Sequence, residues 1–589
     1  MTKNIRKAKS MGAMRRSSLG EVKTLQEVCS ALTHIGRPYG RQQSSLQPEA
    51  ERAKPDDPYP QNPKRVAFKE LGAMAQEAIR DSILALPSVP THTPTSGTRA
   101  AVSKRSEIPG YRPYRFSKDP AAYTQPFCDF LTENPTVFHA VSAVAAECTA
   151  AGYTQLSERS EWNLVPGGKY IVTRNGSSLI AFTVGDDYKP GNGMAMLAGH
   201  VDVLTARLKP IPKLRTKAGY VQLGVAPYAG ALNSTWWDRD LGIGGRVLVR
   251  HASGKVESKL VSLPWPIARI PTLAPHFGAA ANGPFNKETQ MVPIIGLDNS
   301  DLSDFSKSSS DDPSFDSSSC LGGAGSFTAT QPERLVKAIA NEIGVADYSQ
   351  IINWELELFD IQPAQTGGLD REFIFAGRID DRLCSWAAVQ ALLNTDTKGS
   401  GIIKLVGLFD DEEVGSLLRQ GARGNFLPMT IERIVETFAF SNVSNTLART
   451  YANSFLVSSD VIHAVNPNFL GAYLENHSPR LNVGVAVTAD SNAHMTTDSV
   501  STAIFQACAD KAGQKLQVFQ IRNDSRSGGT VGPMLSSAMG VRAIDAGIVQ
   551  LSMHSIRATT GSLDPGLGVI MFQAFLEHFE SVDKDFSAF

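Results

Sequence analysis

The sequence predicts an α/β protein: a mixed sheet covered by helices, with an inserted β-rich domain and a mostly disordered N-terminal extension. Three observations predict it. Short apolar strands alternate with helical stretches in two separated parts of the chain, 111–205 and 373–589, the pattern of a sheet buried on both faces. Gly- and Pro-rich β-like segments interrupt that alternation at 206–372. Residues 1–110 are rich in Pro, Ser, Arg and Gln, a composition that buries too little apolar surface to offset chain entropy.

One segment of the extension stands apart. Val22, Leu25, Val28, Leu32 and Ile35 recur at three- and four-residue spacing, which makes one apolar stripe of a helix over 21–35. Such a helix docks on the folded body or serves partner binding or self-association. The first residues are basic (Lys3, Arg6, Lys7, Lys9, Arg15, Arg16) but no apolar run follows, so they do not form a secretory signal. The plentiful Arg and Ser, with no acid before Glu21, leave a mitochondrial presequence open.

The folded part begins near residue 117. Helices are expected over PAAYTQPFCDFLTEN and TVFHAVSAVAAECTAAG, parted by Asn134-Pro135. KYIVTRNGSSLIAFTVG reads as a hairpin turning at Asn175-Gly176. GMAMLAGH, IIKLVGLF, SFLVSS and VGVAVTAD read as strands, and LCSWAAVQALLNT and the stretch around STAIFQACADKAG as helices. In the insert, GYVQLGVAPYAGALN is β-like and the Ser/Asp-rich run 298–320 is a surface loop.

Composition excludes several classes. With 589 residues and a formal net charge of -1, global electrostatics favour neither nucleic acid nor an anionic membrane. No run approaches the roughly 20 apolar residues that span a bilayer. The six cysteines, Cys29, Cys128, Cys148, Cys320, Cys384 and Cys508, include no CxxC pair, which fits reduced thiols and argues against a four-cysteine zinc.

Chemistry-bearing residues collect after apolar strands. They are His200 and Asp202 after MAMLA, Asp380 and Asp381 after EFIFAG, Asp410 to Glu413 after IIKLVGL, and Asp460 after SFLV. His554 lies alone near the C-terminus. Open α/β sheets form their sites at the carboxyl ends of strands. Each motif alone has a plain structural explanation: a surface HxD, a solvated helix start at Glu412-Glu413, a satisfied core histidine. Together, two imidazoles and several carboxylates at strand ends are costly without a cation to neutralise them. That mixture suits zinc or another first-row divalent ion better than calcium or magnesium.

AGHVD, WWDRDLGIGGR, RIPTLAPHF, ELELFDIQPA, GRIDDRLCSWAA, DDEEVGS, SSDVIHAVNPN, NDSRSGGTVGP and QLSMHSIR occur in that order. In this the chain resembles the aspartyl aminopeptidase and vacuolar aminopeptidase I family of dinuclear zinc exopeptidases, over about 117–589. NPNF with ENHSP, NAHMTTD and SMHSIRATTGS point to its fungal vacuolar branch. The resemblance implies a zinc-exopeptidase-type sheet, an inserted dimerisation domain and two Zn2+ per subunit, with Co2+ or Mn2+ able to share such sites. It implies His200 and Asp460 on one metal, Glu413 and His554 on the other, and Asp380 bridging both. Asp202 would orient His200, Glu412 would be the general base, and His276 would reach a neighbouring subunit's site to hydrogen-bond the oxyanion.

The same resemblance implies short peptide substrates, a homododecamer built from dimers, and delivery from the cytoplasm to a vacuole through a receptor that reads residues 21–35, with a cytoplasmic location as the alternative. In the aspartyl branch the stretch matching Asn492 to Met495 carries a Lys and an Arg. Here Asn492 and His494 stand in their places, so a preference for neutral, apolar N-terminal residues is expected, with Asp or Glu as the alternative. Two other readings compete: a related dinuclear carboxypeptidase or deacylase, which shares the metal pattern but lacks the His276 region, and a catalytically dead assembly or cargo homologue, which is expected to have lost a ligand or the base.

Overall fold

A computed structural model of the chain describes residues 117–299, 325–439 and 443–587. The expected disorder of 1–110, the helix over 21–35 and nearly all of the loop 298–320 lie outside the described residues.

The main sheet has nine strands. Their order is Thr154–Leu156, Lys169–Arg174, Ser178–Val184, Ile403–Phe409, Met194–His200, Phe455–Ser458, Arg542–Gly547, Ala486–Thr488 and Gln517–Phe519. The four central ones, Ile403–Phe409 through Arg542–Gly547, run parallel, while antiparallel pairs flank them. The expected hairpin is present, its three-residue connection running between the paired Arg174 and Ser178, with Asn175 and Gly176 both at positive φ, a conformation that Gly and Asn adopt most readily.

Side-chain alternation explains how the sheet is buried. Along Met194–His200, Ala195 and Leu197 join one apolar cluster and Met194, Met196 and Ala198 join another. Period two sends neighbours to opposite faces, and both faces are covered, so the strand reads as a continuous apolar run. Helices Thr124–Glu133, Val137–Ala150, Ile379–Asn394, Ser499–Lys511 and Asp564–Asp583 supply the first cluster. Phe426–Phe438 and Val531–Met539 supply the second. Thr136 caps Val137–Ala150 just after the Asn134-Pro135 break, and Asp498 closes a capping box with Ser501 on Ser499–Lys511.

Between Thr205 and Asp360 a second, antiparallel sheet of six strands forms, in the order Val256–Ser262, Leu241–Arg250, Ile351–Asp360, Thr205–Lys213, Tyr220–Tyr228 and Ile294–Leu297. It packs with helix Glu333–Glu342 in its own apolar cluster. A third sheet joins Gln365–Gly367, Phe373–Ala376 and Ala558–Gly561. The strand before Asp380 therefore belongs to this small sheet, not to the main one. Among the described residues no helix is long and apolar enough to cross a membrane, and Cys128, Cys148, Cys384 and Cys508 are buried free thiols.

Candidate metal centre

Three adjacent strands of the main sheet end at one crevice. Met194–His200 ends on His200, Ile403–Phe409 leads into Asp410 to Glu413, and Phe455–Ser458 leads into Asp460. Phe409 is the ladder partner of His200, and Ser458 that of Ala198. Parallel pairing in this register brings the three ends level. Asp380 enters from the first turn of helix Ile379–Asn394. His554 sits at φ 61 in the loop before Ala558–Gly561, a conformation uncommon for a non-glycine residue. The loop is held from the six-stranded region: Asn233 Nδ2 donates to the His554 carbonyl at 2.9 Å, and the Ile556 N–H donates to Thr235 Oγ1 at 3.0 Å.

Two glycines permit the approach. A Cβ on Gly199 would sit 2.8 Å from Asp381 Oδ2 and 2.8 Å from the Ser459 carbonyl. One on Gly547 would sit 1.8 Å from the Asp460 carbonyl. Any larger residue at either position pushes the strand ends apart.

The donor atoms fall into two groups. Those of His200, Glu412 and Asp460 lie within 4.8 Å of one another, and so do those of Asp380, Glu413 and His554. His200 Nε2 is 3.6 Å from Asp460 Oδ1 and 3.8 Å from Glu412 Oε2. His554 Nε2 is 3.3 Å from Glu413 Oε2. Asp380 faces both groups, with Oδ1 3.3 Å from His200 Nε2 and Oδ2 3.7 Å from His554 Nε2.

The electrostatics follow from burial. Desolvation is the chief cause that lifts Glu412 to about 8, with Asp460, Asp202 and Glu413 adding to it against the pull of His200. Desolvation likewise lifts Glu413 to about 7, opposed by its bond to His554 and reinforced by Asp380. Asp460 is raised by burial against the attraction of His200. Burial opposes protonation of His200, yet Asp460 and the hydrogen bonds of Asp202, Asp380 and Asp460 outweigh it and raise it well above its ordinary value. The bond to Glu413 lifts His554 to about 9 against the effect of burial.

These residues fit a divalent metal. Four carboxylates converge on two imidazoles, and Glu413 Oε1 is buried without a hydrogen-bond partner. Imidazole nitrogen with carboxylate oxygen is a zinc donor set. The Asp202 backbone carbonyl lies 3.1 Å from His200 Nδ1 and Asp202 Oδ1 lies 3.3 Å from it. A proton on Nδ1 satisfies both and leaves the Nε2 lone pair facing the carboxylates.

A cavity of about 520 Å³ opens on this cluster. His200, Asp380, Glu412, Glu413, Asp460 and His554 line it, together with Met495, Phe519, Ile521, Met534, Met553 and Arg526. His276 does not join it. It is exposed on the 3-10 turn Pro275–Ala281, its ring stacked on Phe277. Asn492 and His494 are exposed and absent from the lining. Asp490 accepts the Asn492 backbone N–H at 2.8 Å and lies 2.7 Å from His494 Nδ1, so the stretch reaches the cavity through Asp490 and Met495 instead.

Sequence reasoning missed Arg526, which lay inside a quoted motif but carried no periodic or metal-ligand signal. It also missed Gln550, whose Nε2 is 3.5 Å from Asp380 Oδ2, and Tyr228, from a strand of the other sheet.

Comparison with known proteins gives the family. Residues 130–576 match the model of the aminopeptidase I zinc metalloprotease (M18) family. Vacuolar aminopeptidase 1 of Saccharomyces cerevisiae is 45% identical over 472 residues, which are 78% of this chain and 89% of that protein. The structure of Chaetomium thermophilum mApe1 is 58% identical and superposes with a TM-score of 0.72 over 79% of this chain and 99% of that one. The S. cerevisiae mApe1 dodecamer is 39% identical, with a TM-score of 0.69 over 80% and 99%. By the matched sequence over most of its length, the chain belongs to the aminopeptidase I zinc metalloprotease (M18) family, in its fungal vacuolar aminopeptidase I branch.

Proposed function

We propose that the chain is an aminopeptidase that holds two zinc ions per subunit and removes neutral, apolar residues such as Leu from the N-termini of short peptides. The observation that carries the reading is Asp380, whose two oxygens face two separate donor groups. His200 and Asp460 would hold one ion and Glu413 and His554 the other, with Asp380 the carboxylate that faces both positions. Cobalt or manganese can share such a donor set. When bound, the metal supplies a Lewis acid and lowers the pKa of water towards neutrality.

The chain's own groups do the rest. Glu412 takes a proton from the attacking water and passes it to the leaving amine, the role of a positioned carboxylate whose pKa has been lifted by burial. Asp202 fixes the His200 ring. His276, exposed and absent from the lining of its own cavity, hydrogen-bonds the developing oxyanion in a neighbouring subunit. Met495, Phe519, Ile521 and Met534 give the cavity an apolar wall. Arg526 on the same lining favours the second reading, a preference for Asp or Glu.

The region 206–372 acts as the dimerisation domain of a homododecamer, a reading supported by the mApe1 dodecamer. The vacuolar relative supports delivery from cytoplasm to vacuole, with residues 21–35 as the segment a receptor reads. Zinc analysis of purified protein, together with hydrolysis of aminoacyl-anilides, tests the activity. Bound zinc with release of N-terminal residues supports it; a zinc-free protein or one that cleaves only C-terminal residues or acyl groups overturns it.

A further inference from the structure

Asp202 is fully buried, and its two oxygens have four neighbours. Oδ1 accepts the Glu412 backbone N–H at 3.1 Å and lies 3.3 Å from His200 Nδ1. Oδ2 accepts the Glu413 backbone N–H at 3.2 Å and the Tyr228 hydroxyl at 2.5 Å. Every lone-pair direction of the carboxylate is therefore used. Three of the partners belong to the metal cluster. The fourth, Tyr228, ends the strand Tyr220–Tyr228 of the six-stranded sheet.

Tyr228 is itself held. The Arg207 guanidinium lies over its ring, 3.5 Å from the centroid. Arg207 is also 3.8 Å from Glu357, 3.8 Å from Asp410 and 3.9 Å from Asp411. Asp410 and Asp411 begin the same loop that carries Glu412 and Glu413. Arg207 and Glu357 come from paired strands of the six-stranded sheet. One side of the loop thus faces the metal cluster while the other is gripped by that sheet.

We propose that Tyr228 is a positioning residue for the metal centre: its hydroxyl fixes the Asp202 carboxylate in the one orientation that holds the His200 ring and the Glu412-Glu413 backbone together, with Arg207 bracing the tyrosine. A carboxylate short of one donor turns to regain it, and any rotation of Asp202 loosens His200 and the loop at once. The effect reaches the metal through Asp202 and not by contact. Groups behind a metal ligand are typically worth 10–100-fold in affinity or activity.

The proposal rests on the reading of His200 and Glu413 as metal ligands, and the test separates the two. Zinc affinity is measured by chelator competition on the assembled full-length protein for wild type, Tyr228→Phe, Asp202→Asn and the double variant. Tyr228→Phe removes one oxygen and keeps the ring under Arg207. It should weaken zinc binding on the order of tenfold or more and lower kcat more than it changes KM. In the Asp202→Asn background it should add little, because residues acting through one group are not additive. Arg207→Lys, which keeps the charge and loses the planar stack, should shift zinc affinity in the same direction by less. Wild-type zinc affinity in both Tyr228→Phe and Arg207→Lys overturns the proposal, as does an equal loss from Tyr228→Phe with and without Asp202. If a His200→Ala control binds zinc as tightly as the wild type, it is the metal-site reading that fails.

Discussion

Phe409 lies directly across from His200 in the ladder between two parallel strands. The chain leaves the sheet at both residues, so the four acidic residues after Phe409 emerge beside the imidazole. One register thus sets Glu412 Oε2 3.8 Å from His200 Nε2. Because side chains alternate along a strand, a slip of one residue would turn His200 to the opposite face.

Asp380 is the residue on which both proposed metal positions should depend. Asp380→Asn keeps the size of the side chain but removes the charge that faces His200 and His554. The purified variant should lose bound zinc and activity together. Elemental analysis showing full zinc occupancy would remove Asp380 from the ligand set.

His276 should act in trans. His276→Ala should retain zinc and lose about 10²–10³-fold in kcat, the usual effect of removing an oxyanion donor. Co-assembled with Glu412→Gln subunits, it should regain activity, since those subunits supply an intact His276 to an intact Glu412. No gain in the mixed oligomers would place His276 in a structural role.

Specificity should follow the cavity wall. A leucine side chain gains roughly 1.5–3 kcal/mol on burial, whereas an unpaired carboxylate costs several. Leu-anilide should therefore exceed Asp-anilide at least about tenfold in kcat/KM at pH 7. Arg526→Gln should widen that gap if the exposed guanidinium reaches the substrate carboxylate. Faster turnover of Asp-anilide by the wild type would favour the acidic preference.

Stability should be most sensitive in the aromatic cluster under the sheet. Phe575 is fully buried and packs against Phe455, Phe505 and Phe579 with ring centroids 5.6–6.1 Å apart. Phe575→Ala should cost about 3–5 kcal/mol through lost burial and a cavity. Denaturant midpoints of the two proteins measure it.

Much of this was legible in the sequence because strand ends leave a local mark. MAMLAGH and IIKLVGLF are apolar runs that stop at polar residues, and both form strands at the expected places. The link between His200 and His554 had no such mark. Their 354-residue separation closes through long-range pairings, among them Arg542–Gly547 on Phe455–Ser458 and Phe373–Ala376 on Ala558–Gly561. Tyr228 was illegible for a related reason: it meets Asp202 because it pairs with Thr205 in the antiparallel ladder of the second sheet, a register no spacing announces. Asn492 and His494 were chosen by analogy in position, and the bonds that draw them to Asp490 depend on a loop conformation no periodicity encodes.

Glu412 should move protons beside a metal centre held by other residues. The most direct measurement is kcat together with zinc content for Glu412→Gln. Zinc content should equal that of the wild type, with kcat lowered about 10²–10⁴-fold, the range for loss of a general base. Turnover near the wild-type value in a zinc-loaded Glu412→Gln enzyme would contradict it.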